Sequence, residues 1–180
     1  MMLNTERLLL RELEQSDVPV LYRYNLHPDF RRYEDGPPVT EYQFYQIIQD
    51  VIAEQHEHPR RSYYFALVRH SDAQLIGSCY IAIRQPEARQ AEIGYMLGVD
   101  FWNQGYTTEA ARRMVTFGFD TLAMHRIYAE VISENLASVH VLHKLNMRQE
   151  GLLRESRWFQ NRWWDICIYS ILQSEWSQNE

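Results

Sequence analysis

The chain has 180 residues, a net charge of −6, 46% hydrophobic and 13% aromatic residues, a size and apolar content that suit one domain with its own core. The excess of acid argues against direct binding to nucleic-acid backbones, which needs clustered Lys and Arg. No run of about 18 apolar residues is present to cross a membrane.

The start, Met1-Met2-Leu3-Asn4-Thr5-Glu6-Arg7, has no basic segment followed by an apolar stretch, so a cytoplasmic location is expected. No stretch reads as a linker, and residues 1–180 are taken as a single domain, with disorder expected only from Ser174 to Glu180. Cys79 and Cys167 lie inside apolar runs without paired spacing and read as buried free thiols.

Leu8 to Leu10 form a first strand, and Ser16 or Asp17 offers an N-cap for a helix carrying Val18, Leu21 and Tyr22. After Gly36-Pro37-Pro38, the pair Thr40 and Gln43 has the pattern of a capping box, with Val39 and Phe44 placed as a hydrophobic staple. A second helix therefore starts there and buries Phe44, Ile47, Ile48, Val51 and Ile52 on one face.

Three runs rich in aromatic and β-branched residues follow, Tyr63 to Val68, Leu75 to Ile83 and Ala91 to Val99, and their short polar turns predict an antiparallel meander. Thr107 or Thr108 is expected to cap a third helix, and Arg126 to Ile132 returns as a strand, which suggests a parallel crossover. Asn135 caps a fourth helix that Asn146 can end in a left-handed conformation. Leu152 to Phe159 and Arg162 to Leu172 are the last strands, turning at Gln160-Asn161. This order implies an α/β (α+β) architecture: a mixed, mostly antiparallel central sheet of about seven strands with helices on both faces.

The stretch from Phe101 to Ala110 joins a strand end, a loop with Gly105 and a helix start. Such a junction can take an anion, because unpaired N–H groups of the first helical turn converge there with the positive end of the helix dipole. A strand, loop and helix with one glycine is also a common connection. Neither a dinucleotide Gly-x-Gly-x-x-Gly nor a nucleoside-triphosphate Gly-Lys-Ser/Thr loop is present.

Around this loop stand Glu92-Ile93-Gly94-Tyr95-Met96-Leu97-Gly98 and Glu134-Asn135-Leu136-Ala137-Ser138. With them the chain resembles the GCN5-related N-acetyltransferases (GNAT), and among these the group that modifies ribosomal-protein N-termini. The family's Gln/Arg-x-x-Gly-x-Gly/Ala loop aligns with Trp102 to Thr107, and its Asn-x-x-Ser, Lys-Leu-Gly-Phe and Glu-Gly elements align with Asn135 to Gly151. Trp102 stands where Gln or Arg is usual, Thr107 replaces a small residue, and Asn146-Met147 replaces Gly-Phe.

The resemblance implies a GNAT fold, acetyl-CoA as co-substrate, an amine acceptor and no metal. It implies that the amides of Gln104, Gly105, Tyr106, Thr107 and Thr108 hold the pyrophosphate, and that the backbone of Leu97, Gly98 and Val99 pairs with pantetheine, which Asn135 also meets. Pantetheine has two amides, so an open strand edge can bind it like an added strand. Arg112 and Arg113 are candidates for the adenosine-side phosphates.

Acyl transfer needs an unprotonated amine, a polarised thioester carbonyl and a proton for the departing sulfur. Glu92 resembles the acidic residue that many family members carry on the corresponding strand and is the candidate base, with Glu130 in reserve. The tyrosine that many relatives carry seven residues after Asn135 is Leu142 here, and Ser138 is the candidate acid. Glu34 and Asp35 at a cleft mouth would attract a cation, and Tyr33 and Trp158 are further acceptor-side candidates. Asp165 reads equally as a buried structural carboxylate.

His56-Glu57-His58 puts its imidazoles on different sides of a helix end and is not read as a metal site. The resemblance points to the N-terminal α-amine of a protein, a ribosomal protein by family. A small amine such as a polyamine or amino-sugar, a longer acyl donor, and a non-catalytic acyl-CoA sensor stay open. Relatives of this kind are often dimers, so a homodimer is also open.

Overall fold

The computed structural model describes residues 1–176. Its elements are β1 (Met2–Asn4), β2 (Leu8–Glu12), α1 (Val18–Asn25), α2 (Pro28–Arg31), α3 (Glu41–Glu54), β3 (Ser62–Arg69), β4 (Leu75–Gln85), β5 (Gln90–Leu97), α4 (Tyr106–Asp120), β6 (Arg126–Ile132), α5 (Leu136–Lys144), β7 (Arg148–Phe159), β8 (Arg162–Leu172) and α6 (Gln173–Trp176). The strands form one eight-stranded sheet in the order β1-β2-β3-β4-β5-β6-β8-β7. Every pairing is antiparallel except β5 with β6.

The chain therefore makes eight strands where about seven were expected. The extra one, β1, is three residues long and pairs Leu3 with Leu10, too short to carry a period of two. The fourth of the expected strands stops at Leu97, and Val99 instead enters a 3-10 turn at Val99–Phe101. At the C-terminus, where disorder was expected, Gln173–Trp176 is a helical turn that buries Trp176; residues 177–180 lie outside the described residues.

Two helix caps follow the sequence closely. Gln43 N–H donates to Thr40 Oγ1 at 3.2 Å and Thr40 N–H to Gln43 Oε1 at 2.8 Å, closing the capping box of α3. Ser138 N–H donates to Asn135 Oδ1 at 3.2 Å at the start of α5, which is followed by Asn146 at φ 59°. The third helix differs: it begins at Tyr106 with Gly105 as N-cap, not at Thr107 or Thr108. Gly105 holds φ 83°, a left-handed conformation that a side chain would resist.

The core lies on both faces of the sheet. On one face Phe117 of α4 meets Tyr63 and Phe65 edge-on at 5.3 and 6.0 Å. Gly118 lets that helix approach so closely that an added Cβ would come within 2.6 Å of Ile81 and Ile127. On the other face α1 and α3 pack against the sheet and each other, with Leu21, Phe44, Ile48 and Val51 buried.

The entry to α1 is fixed by a buried charge. Asp17 is 3% exposed; it accepts from Arg11 Nη1 at 2.8 Å, Arg11 Nη2 at 2.6 Å and Glu14 N–H at 2.9 Å. Removing one partner of such a pair strands the other. Asp17→Ala is expected to cost about 3–5 kcal/mol, read as a lower urea midpoint with an unchanged m-value.

Candidate active site

The central feature is a split in the sheet. β5 and β6 pair in parallel only at Gln90, Ala91 and Glu92 against Arg126, Ile127 and Tyr128, and then diverge. On the β4 side β5 stays paired to its end. Gly98 N–H donates to Ile76 O at 2.9 Å, so by antiparallel alternation Met96 and Gly94 bond toward β4 while the peptide groups of Ile93, Tyr95 and Leu97 face the gap. Trp102 closes the far end, its indole N–H donating to Leu97 O at 2.9 Å.

Two cavities of about 490 and 460 Å³ open from this gap. Both are lined by Tyr95, Met96, Asn135 and Ser138, and by Phe30, Tyr33 and Glu34 opposite, which makes them arms of one cleft. The second arm runs to Gly105, Thr107 and Thr108 at the start of α4 and carries Arg32, His140 and Lys144 beside Asp29 and Glu34. The α4 N-terminus has no side-chain cap, so the N–H groups of its first turn are open to an anion. An extended arm with two amides, ending in a pyrophosphate, fits a strand edge followed by such a helix start.

The first arm is acidic and aromatic. It is lined by Glu34, Asp35, Glu92 and Glu130, by Tyr64 and Tyr80, and by Phe44 and Ile48 of α3. Glu92 is held by Tyr80 Oη at 3.1 Å and Arg84 Nε at 2.7 Å. Tyr80 in turn stacks on Tyr64 at 5.1 Å, and its ring lies so close over Gly94 that an added Cβ would come within 2.3 Å. Burial and the neighbouring Glu92 push Tyr80 well above the usual phenol range.

Arg157 spans this arm, donating to Glu130 Oε2 at 2.7 Å and Asp35 Oδ2 at 3.2 Å. Gln160 Nε2 donates to Arg31 O at 2.9 Å, and Trp164 meets Tyr33 edge-on at 6.0 Å. The β7–β8 hairpin thus pins the α2–α3 connection over the cleft. Burial, opposed by Arg31 and reinforced by Asp35, pushes the Glu34 carboxyl up.

Where the arms meet, Tyr95 Oη and Ser138 Oγ are 2.8 Å apart. Burial pushes the Tyr95 phenol up to about 12, against the hydrogen bond with Ser138, so at neutral pH it stays protonated. Tyr95 Oη–H also donates to Ser138 O at 3.3 Å, so the phenol is tied to the start of α5.

Of the candidates read from sequence, Glu92, Ser138, Leu97, Gly105, Thr107, Thr108, Asn135, Glu34, Asp35 and Tyr33 line the cleft. Gly98, Val99, Gln104, Tyr106 and Trp158 line neither arm. Gly98 and Val99 have already turned away from the gap, so the free strand edge is Ile93, Tyr95 and the N–H of Leu97, whose carbonyl Trp102 takes. Gln104 O faces Arg7, and Tyr106 places its ring under the same guanidinium. Trp158 stacks edge-on with Trp163 at 5.2 Å, both 55% exposed at the hairpin rim. Leu142 is fully buried, so the position where relatives carry tyrosine is core here. Arg112 is spent on Lys144 O at 2.8 Å, and Asp165 accepts Glu155 N–H at 2.7 Å.

Sequence reasoning missed Tyr95, Lys144 and Arg157. Tyr95 was findable from strand alternation, which sets it on the opposite face from Glu92; Arg157 sits beyond an irregularity between Leu153 and Arg157 that breaks the alternation. Among the described residues no cluster of three or more His, Cys, Asp or Glu is arranged to hold a metal, and no helix is long and apolar enough to cross a membrane.

Comparison with known proteins agrees with this architecture. Residues 7–148 match the model of the acetyltransferase (GNAT) domain. The uncharacterised N-acetyltransferase p20 of Bacillus licheniformis is 33% identical over 179 residues, 97% of this chain and 98% of that one. A spermidine N(1)-acetyltransferase of Vibrio cholerae is 25% identical over 171 residues, 94% of this chain and 95% of that one. The crystal structure of a ribosomal-protein-S5-alanine acetyltransferase from Vibrio fischeri, 21% identical, matches with a TM-score of 0.84 over 98% of both chains and shares the fold. The chain belongs to the GNAT acetyltransferase family and is an acyl-CoA-dependent N-acetyltransferase.

Glu34 gives a direct test of the electrostatics. Because its folded carboxyl holds a proton more tightly than an unfolded one, ionising it costs stability above its raised pKa and nothing below the ordinary value. Glu34→Gln is expected to raise Tm by roughly 2–4 °C near neutral pH, with the gain vanishing toward pH about 4 in melts across that range.

Proposed function

We propose that this enzyme transfers the acetyl group of acetyl-CoA to a cationic primary amine that enters the acidic arm, and that a small polyamine-like amine is the acceptor class it suits best. The observation that carries this reading is the meeting of two cavities at the split between β5 and β6, one ending at an uncapped helix start and the other walled by carboxylates and aromatic rings. The acidic arm is lined by α1 and α3 and crossed by the Arg157 bridge. Its carboxylates and aromatic rings favour a small cation that can be surrounded by them. The likeness to a spermidine acetyltransferase supports the same class.

In this reading the free edge of Ile93, Tyr95 and Leu97 holds the pantetheine arm, and the N–H groups at Gly105, Thr107 and Thr108 hold the pyrophosphate. The carboxylates attract an ammonium whose ordinary pKa is about 10.4 and must then take its proton. Glu92 is our base by position, although Tyr80 and Arg84 already hold it. Glu34, which lines both arms and whose carboxyl burial pushes up, is a second group placed to take the proton. Ser138, beside Tyr95 at the junction of the arms, donates toward the sulfur as it departs.

A peptide acceptor, the N-terminus of a ribosomal protein, is the second reading. Its support is the pair of exposed tryptophans, Trp158 and Trp163, at the rim beside Arg157, where a chain too long for the cavity could lie.

Thiol release from acetyl-CoA, measured against polyamines, amino-sugars and ribosomal N-terminal peptides, separates these readings. Saturable turnover is expected with a polyamine, and Ser138→Ala is expected to lower kcat by about a hundredfold with little change in the KM for acetyl-CoA. Turnover only with peptides would transfer the assignment to the second reading. Coenzyme binding without turnover on any of these amines would place the acceptor outside all three classes.

A further inference from the structure

Arg7 lies in the turn between β1 and β2, yet its side chain reaches the loop before α4, nearly a hundred residues downstream. Its Nη1 donates to Gln104 O at 2.9 Å and its Nε to Glu109 Oε2 at 2.7 Å. The guanidinium lies 4.4 Å from the centre of the Tyr106 ring, and Nη2 is 3.3 Å from where a Cβ on Gly105 would stand. The Arg7 N–H and Thr5 Oγ1 also donate to Glu109 Oε1, at 2.8 and 2.6 Å. Three consecutive residues of the loop and helix start, Gln104 to Tyr106, are thus packed on one side against a single guanidinium.

Two consequences follow from elementary geometry. In a trans peptide the C=O and the next N–H point in opposite directions. Holding Gln104 O on the Arg7 side therefore turns the Gly105 N–H the other way, toward the arm lined by Gly105, Thr107 and Thr108. Glu109 is the second consequence. It stands in the first turn of α4, where a free carboxylate would repel the anion that the same turn attracts. Burial alone would raise its carboxyl, but the hydrogen bonds from Thr5 and Arg7 more than offset this and hold it below the usual range. Its charge is thereby neutralised and turned to the back of the loop.

We propose that Arg7 is a positioning residue for the coenzyme: from behind the loop it orients the Gly105 peptide and neutralises Glu109, so that the start of α4 can accept the pyrophosphate. The proposal rests on the reading of Gln104 to Thr108 as the pyrophosphate cradle. It gives the N-terminal turn a role in coenzyme affinity although it contributes no atom to the cleft.

The test uses two probes, acetyl-CoA and S-acetylpantetheine, which lacks the pyrophosphate and the 3′-phosphoadenosine beyond it, titrated calorimetrically into wild type, Arg7→Met and Arg7→Lys. Arg7→Met is expected to weaken acetyl-CoA by about ten- to a hundredfold, the loss of charge-assisted hydrogen bonds, and to leave S-acetylpantetheine unchanged. Arg7→Lys keeps the charge without the planar fork and is expected to recover part of the loss. An unchanged affinity of Arg7→Met for acetyl-CoA, or an equal loss for both probes in both variants, would overturn the proposal. A wild type that binds both probes equally would show instead that the cradle reading is wrong, whatever Arg7 does.

Discussion

Everything in this molecule that bears on chemistry depends on β5 leaving β6 after three paired residues. A parallel pair that stayed together would spend the N–H and C=O groups of Ile93, Tyr95 and Leu97 on a neighbouring strand and leave no way through the sheet. Buried backbone groups must find partners somewhere, so an open edge inside a sheet is costly unless a ligand completes it. The separation is held from outside the gap. β4 stays paired with β5 along its length, β8 stays paired with β6 from Arg126 to Ile132, and α5, capped by Asn135, is wedged at the opening.

The two ends of that gap differ in charge, and each suits one reactant of the proposed function. The helix dipole, Arg32 and Lys144 favour a phosphate-bearing coenzyme, whereas Asp35, Glu92 and Glu130, with Glu34 between the arms, favour a cation. Arg157 already occupies part of the acidic end, so an incoming ammonium meets carboxylates that are partly satisfied. Among the described residues, Glu34 is the one of these four with no hydrogen bond to a cation. In the proposed function an ammonium bound there offsets the burial that pushes its carboxyl up.

The fold was largely legible in the sequence because its elements carry strong local marks. The capping box of Thr40 and Gln43, the Asn135 cap, the left-handed Asn146 and the Gln160-Asn161 turn, both of whose residues have positive φ, are all readable within a few residues. The misses have a common cause. β1 is too short to show a period, the start of α4 is set by the left-handed Gly105 and not by a threonine hydroxyl, and Val99 is turned out of the strand as the chain bends into the loop. At the site, the carboxylates and Ser138 were legible as residue types in a family pattern. Arg157 and Arg7 were not, because each acts through a partner far along the chain, Glu130 and Glu109; the place of Tyr95 on its strand was readable, but its pairing with Ser138 was not.

The indole of Trp102 on the Leu97 carbonyl has a further consequence. It stops the free edge, so from Ile93 to Leu97 the strand offers a fixed length of roughly 13 Å, anchored at one end by the helix start. In the proposed binding mode a coenzyme held against such a stop keeps its thioester at one depth, beside Tyr95 and Ser138. An acyl chain longer than acetyl would then extend toward the acidic arm, the same volume that the amine needs in that reading. Donor choice and acceptor choice are therefore competitors for one space, and a mutation that enlarges it for one reactant changes the fit of the other.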